Sequence, residues 1–329
     1  MTVMWGGFIA LVLTILALDL GVLNRRPRAP TIPQALGFAA ATAILALLFA
    51  AFLYRAYNSH WGGLGLAPDA VSHRLNDGRL ATVKFLTGYV VELSLSMDNV
   101  FVIALIFGHL RIPLAQQHRV LFWGVLGALM MRGMMIAGGA ALVARYHWVL
   151  YLMGAFLVVA AARMLLEKGK ERAPGESRLV RFLGRHFRVT DELHGGRFRI
   201  TRDGDRWITS LLVALLLVES TDLIFALDSI PAIFAITTDS FLVFTSNVFA
   251  ILCLRSLYFG LAHALAKFRY LKTSLALILG LVGVKMLAAE WVDSVLGDAV
   301  NFWMLGTVAA VLTVGAGASV LADRRLARR

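Results

Sequence analysis

The chain has 329 residues, 59% hydrophobic and 16% charged, with a mean hydropathy of +0.75. A soluble domain is about 45–50% apolar and about 25% charged, and part of any globule must face water, so this much apolar surface excludes an ordinary soluble fold. The formal net charge of +12 would suit nucleic acid, but most Arg and Lys fall between apolar runs, where they act first as a topology signal.

The apolar runs are each about 18–25 residues, long enough to cross roughly 30 Å of hydrocarbon as a helix. They do not alternate apolar and polar residues as the strands of a membrane β-barrel would. In chain order they predict nine spans, at 3–23, 35–55, 82–107, 119–143, 147–167, 208–235, 240–262, 273–289 and 301–321. The fold class expected is therefore an all-α polytopic membrane protein in a single transmembrane domain, 1–329. The first run has no basic segment before it and no small-residue cleavage site after it, and Arg25, Arg26 and Arg28 follow, so a retained span is expected.

With the N-terminus outside, the inner loops carry Arg25/Arg26/Arg28, Arg111, eleven Lys or Arg between Lys168 and Arg206, and Lys267/Arg269/Lys272. The tail adds Arg324, Arg325, Arg328 and Arg329, whereas the outer turns hold Asp239, Glu290, Asp293 and Asp298. The outer 56–81 loop, neutral to mildly basic, is the exception, and the positive-inside rule predicts N-out and C-in. The basic loop 168–207 is expected on the cytoplasmic side, touching membrane lipid through an amphipathic helix around Arg178–Arg188. Within it, Arg197–Trp207 centres on Asp-Gly and predicts a hairpin. No nucleic-acid partner is expected.

Ionisable residues inside the spans carry the functional argument. A carboxylate near the bilayer centre costs about 2.5–3.5 kcal/mol on insertion scales, so such groups face the bundle interior and have a role. Span 3 reads Glu92-Leu-Ser-Leu-Ser-Met-Asp98-Asn99, and span 6 reads Asp222-Leu-Ile-Phe-Ala-Leu-Asp228-Ser229-Ile-Pro231. Spans 4 and 7 carry Arg132 and Arg255 at matching places, and spans 5 and 8 carry Arg163/Glu167 and Lys285/Glu290. Three ordered pairs of like sign suggest a repeat of three spans, 82–167 and 208–290, inserted with opposite polarity, as in many secondary transporters.

Glu92 and Asn99 share a helical face, as do Asp222 and Ser229, while Asp98 and Asp228 lie about 120° around from the first acids. Bringing all four acids together needs a helix break, for which Pro231 offers a mechanism in span 6. Carboxylates, an amide oxygen and a hydroxyl form an all-oxygen set suited to Mg²⁺, Ca²⁺ or Mn²⁺. The metal-contacting set expected is Asp98, Asn99, Asp228, Ser229, Glu92 and Asp222. Glu219, Arg132 and Arg255 are candidates for coupling or charge balance. The lone Cys253 excludes a disulfide framework and a thiolate cage. Met130, Met131, Met134 and Met135 in span 4 are read as packing rather than copper ligands.

At these residues the chain resembles the TerC family of tellurium-resistance-type integral membrane proteins, which includes manganese exporters. The resemblance is carried by Glu92–Asn99 and Glu219–Pro231, with support from Gln117-His-Arg-Val-Leu-Phe-Trp-Gly124 and His147-Trp-Val-Leu-Tyr151, and spans about 5–320. It implies a bacterial inner-membrane carrier exporting Mn²⁺, the ion being cargo and no cofactor being needed, with Asp98 and Asp228 among the metal-contacting positions. Thr209-Ser210-Leu211 departs from the Thr-Pro-Leu common in the family, which affects only the start of span 6. No nucleotide-binding G-x-x-x-x-G-K-[ST] and no hydrolase motif occurs, so neither a single-chain pump nor an enzyme is expected. The alternative is a membrane scaffold, or a partner of the secretion machinery, in which the acids only lock the bundle.

Overall fold

The computed structural model describes residues 1–18, 32–71, 74–166, 188–190, 196–202, 205–261, 270–297 and 299–326. Each of the nine expected spans corresponds to a helix: α1 (Thr2–Leu18), α2 (Ile32–Asn58), α3 (Gly78–His109), α4 (Leu114–Arg145), α5 (Trp148–Leu166), α6 (Ser210–Phe234), α7 (Ser240–Leu261), α8 (Leu271–Leu287) and α10 (Ala299–Leu326). Among the described residues, seven helices are long and apolar enough to cross a membrane; α1 is apolar but shorter. The protein is a multi-pass integral membrane protein.

The apolar runs understate the helices. Both α3 and α4 have 32 residues, about 48 Å at 1.5 Å per residue, so their polar ends project beyond the hydrocarbon. A cap fixes the start of α3: the Asp77 carboxylate accepts the Leu80 N–H at 2.7 Å, satisfying a donor that the first turn leaves open. Beyond Ala288, where a loop was expected, the chain forms an eight-residue helix, α9 (Ala289–Leu296), with Trp291 exposed in the manner of an interfacial anchor.

Helix α3 lies at the centre, packed on α2, α6, α7 and α10. In turn α4 packs on α6 and α7, and α5 on α8. The α5–α8 crossing is close because Gly283 lies against the Gly154 carbonyl and Leu157, where a Cβ would come within 2.9 Å of the carbonyl oxygen. Small residues at a crossing let two backbones approach in lipid, where association depends on packing. An aromatic cluster of Phe8, Phe49, Phe85, Phe241 and Phe249 binds α1 and α2 to the α3–α7 pair, with the Phe49 and Phe249 rings 5.0 Å apart. Leu47, Leu48, Met130, Met134 and Ile224 point outward, as lipid-facing residues do. Met130 and Met134 therefore face away from the interior, although the sequence reading placed them in packing contacts.

The two ends of the bundle differ. The amino group of Met1 contacts the Gly62 carbonyl in the α2–α3 connection, and that connection also touches the α6–α7 turn. At the opposite end lies a three-stranded sheet, β1 (Arg188–Thr190), β2 (Arg199–Arg202) and β3 (Asp205–Thr209), in the order β1-β3-β2. Strands β2 and β3 pair antiparallel with Arg202 opposite Asp205, which is the expected hairpin; the added parallel strand β1 was not anticipated. The amphipathic segment expected around Arg178–Arg188 lies, as does most of 168–207, outside the described residues, except for Arg188, which opens β1.

Candidate functional site

Span 3 and span 6 meet at Arg132 of α4. The Arg132 guanidinium donates to Glu92 of α3 and to Asp222 of α6, the latter from Nη2 at 3.0 Å and from Nε at 3.4 Å. Its Nη1 also reaches Asn247 Oδ1 of α7 at 3.0 Å and Ser229 Oγ at 3.5 Å. Asn99 donates through Nδ2 to Asp222 Oδ1 at 2.9 Å, and Ser96 donates to Glu92 Oε1 at 3.3 Å. Glu92, Asn99, Arg132, Asp222, Ser229 and Asn247 are all at most 5% exposed, so water does little to screen them.

Two carboxylates against one guanidinium leave the cluster formally short of one positive charge. Its hydrogen bonding is also incomplete: Glu92 Oε2 and Asn99 Oδ1 have no partner among the described residues. Both orphans are acceptors. A buried acceptor left unpaired costs about 1–3 kcal/mol, and more when charged, so either a hydrogen-bond donor or a cation at these oxygens would be stabilising.

Four of the six expected ligands, Glu92, Asn99, Asp222 and Ser229, come together here. Asp98 and Asp228 do not join them. The helix break that would gather all four acids is absent: α3 is continuous through Asp98, and α6 stays helical through Pro231. Both acids are partly exposed on the flanks of their helices, and no group of three or more His, Cys, Asp or Glu arranged to hold a metal occurs among the described residues. Glu219 sits one turn from Asp222, so close to Gly127 of α4 that a Cβ there would collide with its carboxylate. The side chain of Arg255 lies outside the described residues. Lys285 of α8 donates to the Ala235 carbonyl at 2.9 Å, capping the end of α6, which is a structural task.

A cavity of ≈ 30 Å³ opens from Asn99 and Asp222, lined further by Ile103, Gly124, Ala128, Val218 and Tyr258. That is room for about two waters. Apart from Asp222, which bonds Arg132 itself, the lining residues fall toward the sheet ends of their helices. Where the cavity ends, the Tyr258 hydroxyl donates to Gln117 Oε1 at 2.8 Å, and Gln117 donates to the Ile112 carbonyl.

A second charged cluster closes the α2–α3 end. Lys84 Nζ donates to Asp69 Oδ2 at 3.0 Å and to Asn76 Oδ1 at 2.7 Å, with both charged side chains fully buried. Asp69 also accepts from the Thr237 hydroxyl, the Val71 and Thr238 amides and the Thr238 hydroxyl. Burial pushes the Asp69 carboxyl up, but the Lys84 ammonium and these donors outweigh it and hold the group below the usual carboxylate range. Nearby, Asp239 accepts from the Tyr57 hydroxyl and from Asn76; burial dominates there and raises its pKa. Sequence reasoning missed this cluster, although Lys84 stands inside an apolar run, and it missed Asn247, one of three consecutive polar residues in span 7.

A continuous helical bundle with buried carboxylates and a guanidinium at its centre defines a polytopic membrane protein of the transporter-like kind. Residues 78–327 match the profile of the integral membrane protein TerC family. The chain belongs to that family. It is 46% identical to "Uncharacterized membrane protein STKORF319" of Myxococcus xanthus over 88% of this chain and 84% of the relative. It is 42% identical to the "Putative membrane-bound redox modulator Alx" of Photorhabdus laumondii, over 94% and 92% of the two chains. The Escherichia coli K12 protein of the same name is 43% identical over 88% and 86%. No solved structure matches the chain.

Proposed function

We propose that the protein is a secondary carrier that exports a hard divalent cation, with Mn²⁺ as cargo, across a bacterial inner membrane, N-terminus outside and C-terminus in the cytoplasm. The observation that carries this reading is the pair of orphaned buried oxygens, Glu92 Oε2 and Asn99 Oδ1, beside Asp222 in a cluster one positive charge short. Arg132 acts as a tethered cation that limits repulsion between Glu92 and Asp222 when no metal is bound. An incoming ion competes with it for the same oxygens. Glu92, Asn99, Asp222 and Ser229 form the central shell. Asp98 and Asp228, displaced along the helices in opposite directions, take the ion as it enters and leaves, and Glu219 carries a counter-transported proton.

The carrier reading includes an inverted repeat of spans 3–5 and 6–8. Helix α3 packs on α7 as α6 packs on α4, the exchange that a two-fold axis in the membrane plane would produce. Manganese and the link to tellurite resistance rest on the family resemblance; the oxygen chemistry supports a hard divalent ion.

One observation favours a second reading. Arg132 already bonds both acids, so the cluster could serve only to lock the bundle of a scaffold or secretion partner. Redox modulation, which the relatives' name suggests, cannot proceed here through an intramolecular dithiol, because the chain has one cysteine.

The deciding experiment is flux of Mn²⁺, beside Mg²⁺, Ca²⁺ and Zn²⁺, into liposomes holding wild type, Glu92→Gln, Asp98→Asn, Asp222→Asn or Asp228→Asn. Wild-type flux that the substitutions abolish at unchanged yield supports the carrier. Absence of flux for every cation, under a proton gradient of either sign, establishes the scaffold instead.

A further inference from the structure

The carrier reading leaves unused the buried ion pair at the α2–α3 end, and the cavity shows why it matters. The cavity runs from Asp222, a partner of Arg132, toward the sheet end. On the other side two helices are in close contact. There α3 and α7 approach so closely that a Cβ on Gly88 would come within 2.9 Å of Ser246 Oγ. Above that contact, Lys84 of α3 and Thr237 and Thr238 of the α6–α7 turn converge on the carboxylate of Asp69, in the α2–α3 connection. The cluster thus ties a loop to both halves of the bundle.

A buried ion pair suits a seal that must open. Its Coulomb attraction is largely offset by the desolvation of two charges, and both charges regain water when the seal parts. An apolar seal of the same area would offer no such return on opening. The energy gap between closed and open states therefore stays small, as a device that alternates between two states requires.

Resting on the carrier reading, we propose that the Lys84–Asp69–Thr237–Thr238 cluster is the closed gate at the α2–α3 end. The site then faces the cavity on the sheet side, which runs from Asn99 and Asp222 as far as the buried Tyr258–Gln117 hydrogen bond.

The test uses single-cysteine reporters in the full chain with Cys253→Ser, labelled by a membrane-impermeant thiol reagent in vesicles of either orientation. Ser246→Cys lies between the gate and Arg132, and Ala128→Cys lies in the cavity wall. With the gate intact, Ser246→Cys resists labelling from both faces, and Ala128→Cys, buried in a cavity with room for about two waters, is the unreactive control on the sheet side. In Lys84→Met/Asp69→Asn, which neutralises both partners, Ser246→Cys reacts about tenfold faster or more from the α2–α3 face, as expected if a minor state of about 0.1–10% becomes populated. Should the double variant fail to fold, Thr237→Val, which keeps the ion pair, gives a smaller increase from the same face. Unchanged Ser246→Cys labelling in a folded gate variant, or an equal rise from both faces, overturns the gate. Labelling needs no flux, so a wild type that moves no cation defeats the carrier reading and leaves this result to stand or fall separately.

Discussion

Replacing Arg132 by Met isolates the energetics of the central cluster. The substitution keeps most of the side-chain volume but removes the guanidinium that bonds Glu92, Asp222 and Asn247. Two buried carboxylates then face each other with no counter-charge, and Asn247 Oδ1 loses its donor. Removing one partner of a buried ion pair costs about 3–5 kcal/mol, or about 6–20 °C in unfolding temperature at about 2–4 °C per kcal/mol. Thermal unfolding of the purified protein in detergent measures this directly. Adding Glu92→Gln to Arg132→Met removes one of the two charges and restores a large part of the loss. If the acids bind a cation, Mn²⁺ at 100 times its dissociation constant adds about 2.7 kcal/mol to either protein. It does so at lower concentration in Arg132→Met, where the tethered competitor is gone. An Arg132→Met protein within about 0.5 kcal/mol of wild type, or a double variant no better than the single, refutes this account of the cluster.

The Asp69 cluster and the α2–α3 contact give two further expectations. Because the Asp69 pKa is depressed in the folded protein, its contribution is complete above the usual carboxylate range and is lost as pH falls through the depressed value. Asp69→Asn is thus least stable relative to wild type near neutral pH, and unfolding temperatures of the two converge on acidification; a constant difference across pH contradicts this. Asp239, whose pKa burial raises, has the opposite slope; the Asp69 charge adds to that rise, so Asp69→Asn weakens the Asp239 slope as well and narrows the difference near neutral pH. Gly78→Ala places a Cβ against the Tyr54 carbonyl oxygen and the Asn58 side chain, backbone and amide that cannot move aside together, and costs about 1–3 kcal/mol. An unchanged unfolding temperature would show that the α2–α3 junction is looser than described.

The helices were legible because lipid leaves each span one way to satisfy its backbone, so apolar run length alone nearly fixes them. Helix ends were less legible. Asp77 caps α3 several residues before its apolar stretch, and Tyr57, Lys84 and Asn76 extend the ordered structure into the polar zone. The central acids could be read because carboxylates are costly in hydrocarbon and so stand out in an apolar string. Which of them meet could not be read. Glu92 and Asp98 are equally prominent in the sequence, but only helix rotation decides that Glu92 faces Arg132. Asp69, in a polar loop, carries no such signal, and its burial follows from α6 and α7 meeting at Thr237 and Thr238.

The junction at Ser210 gives the soluble side of the protein a mechanical hold on the membrane site. Strand β3 ends at Thr209 and α6 begins at the next residue, while the Ser210 hydroxyl donates to the Thr190 carbonyl of β1. Sheet and helix are therefore a single lever without a slack linker. Asp222 lies about 18 Å along it from Ser210, so a tilt of about 10° pivoting there swings the sheet end by about 3 Å. Force applied to the sheet acts directly on the angle at which Asp222 meets Arg132.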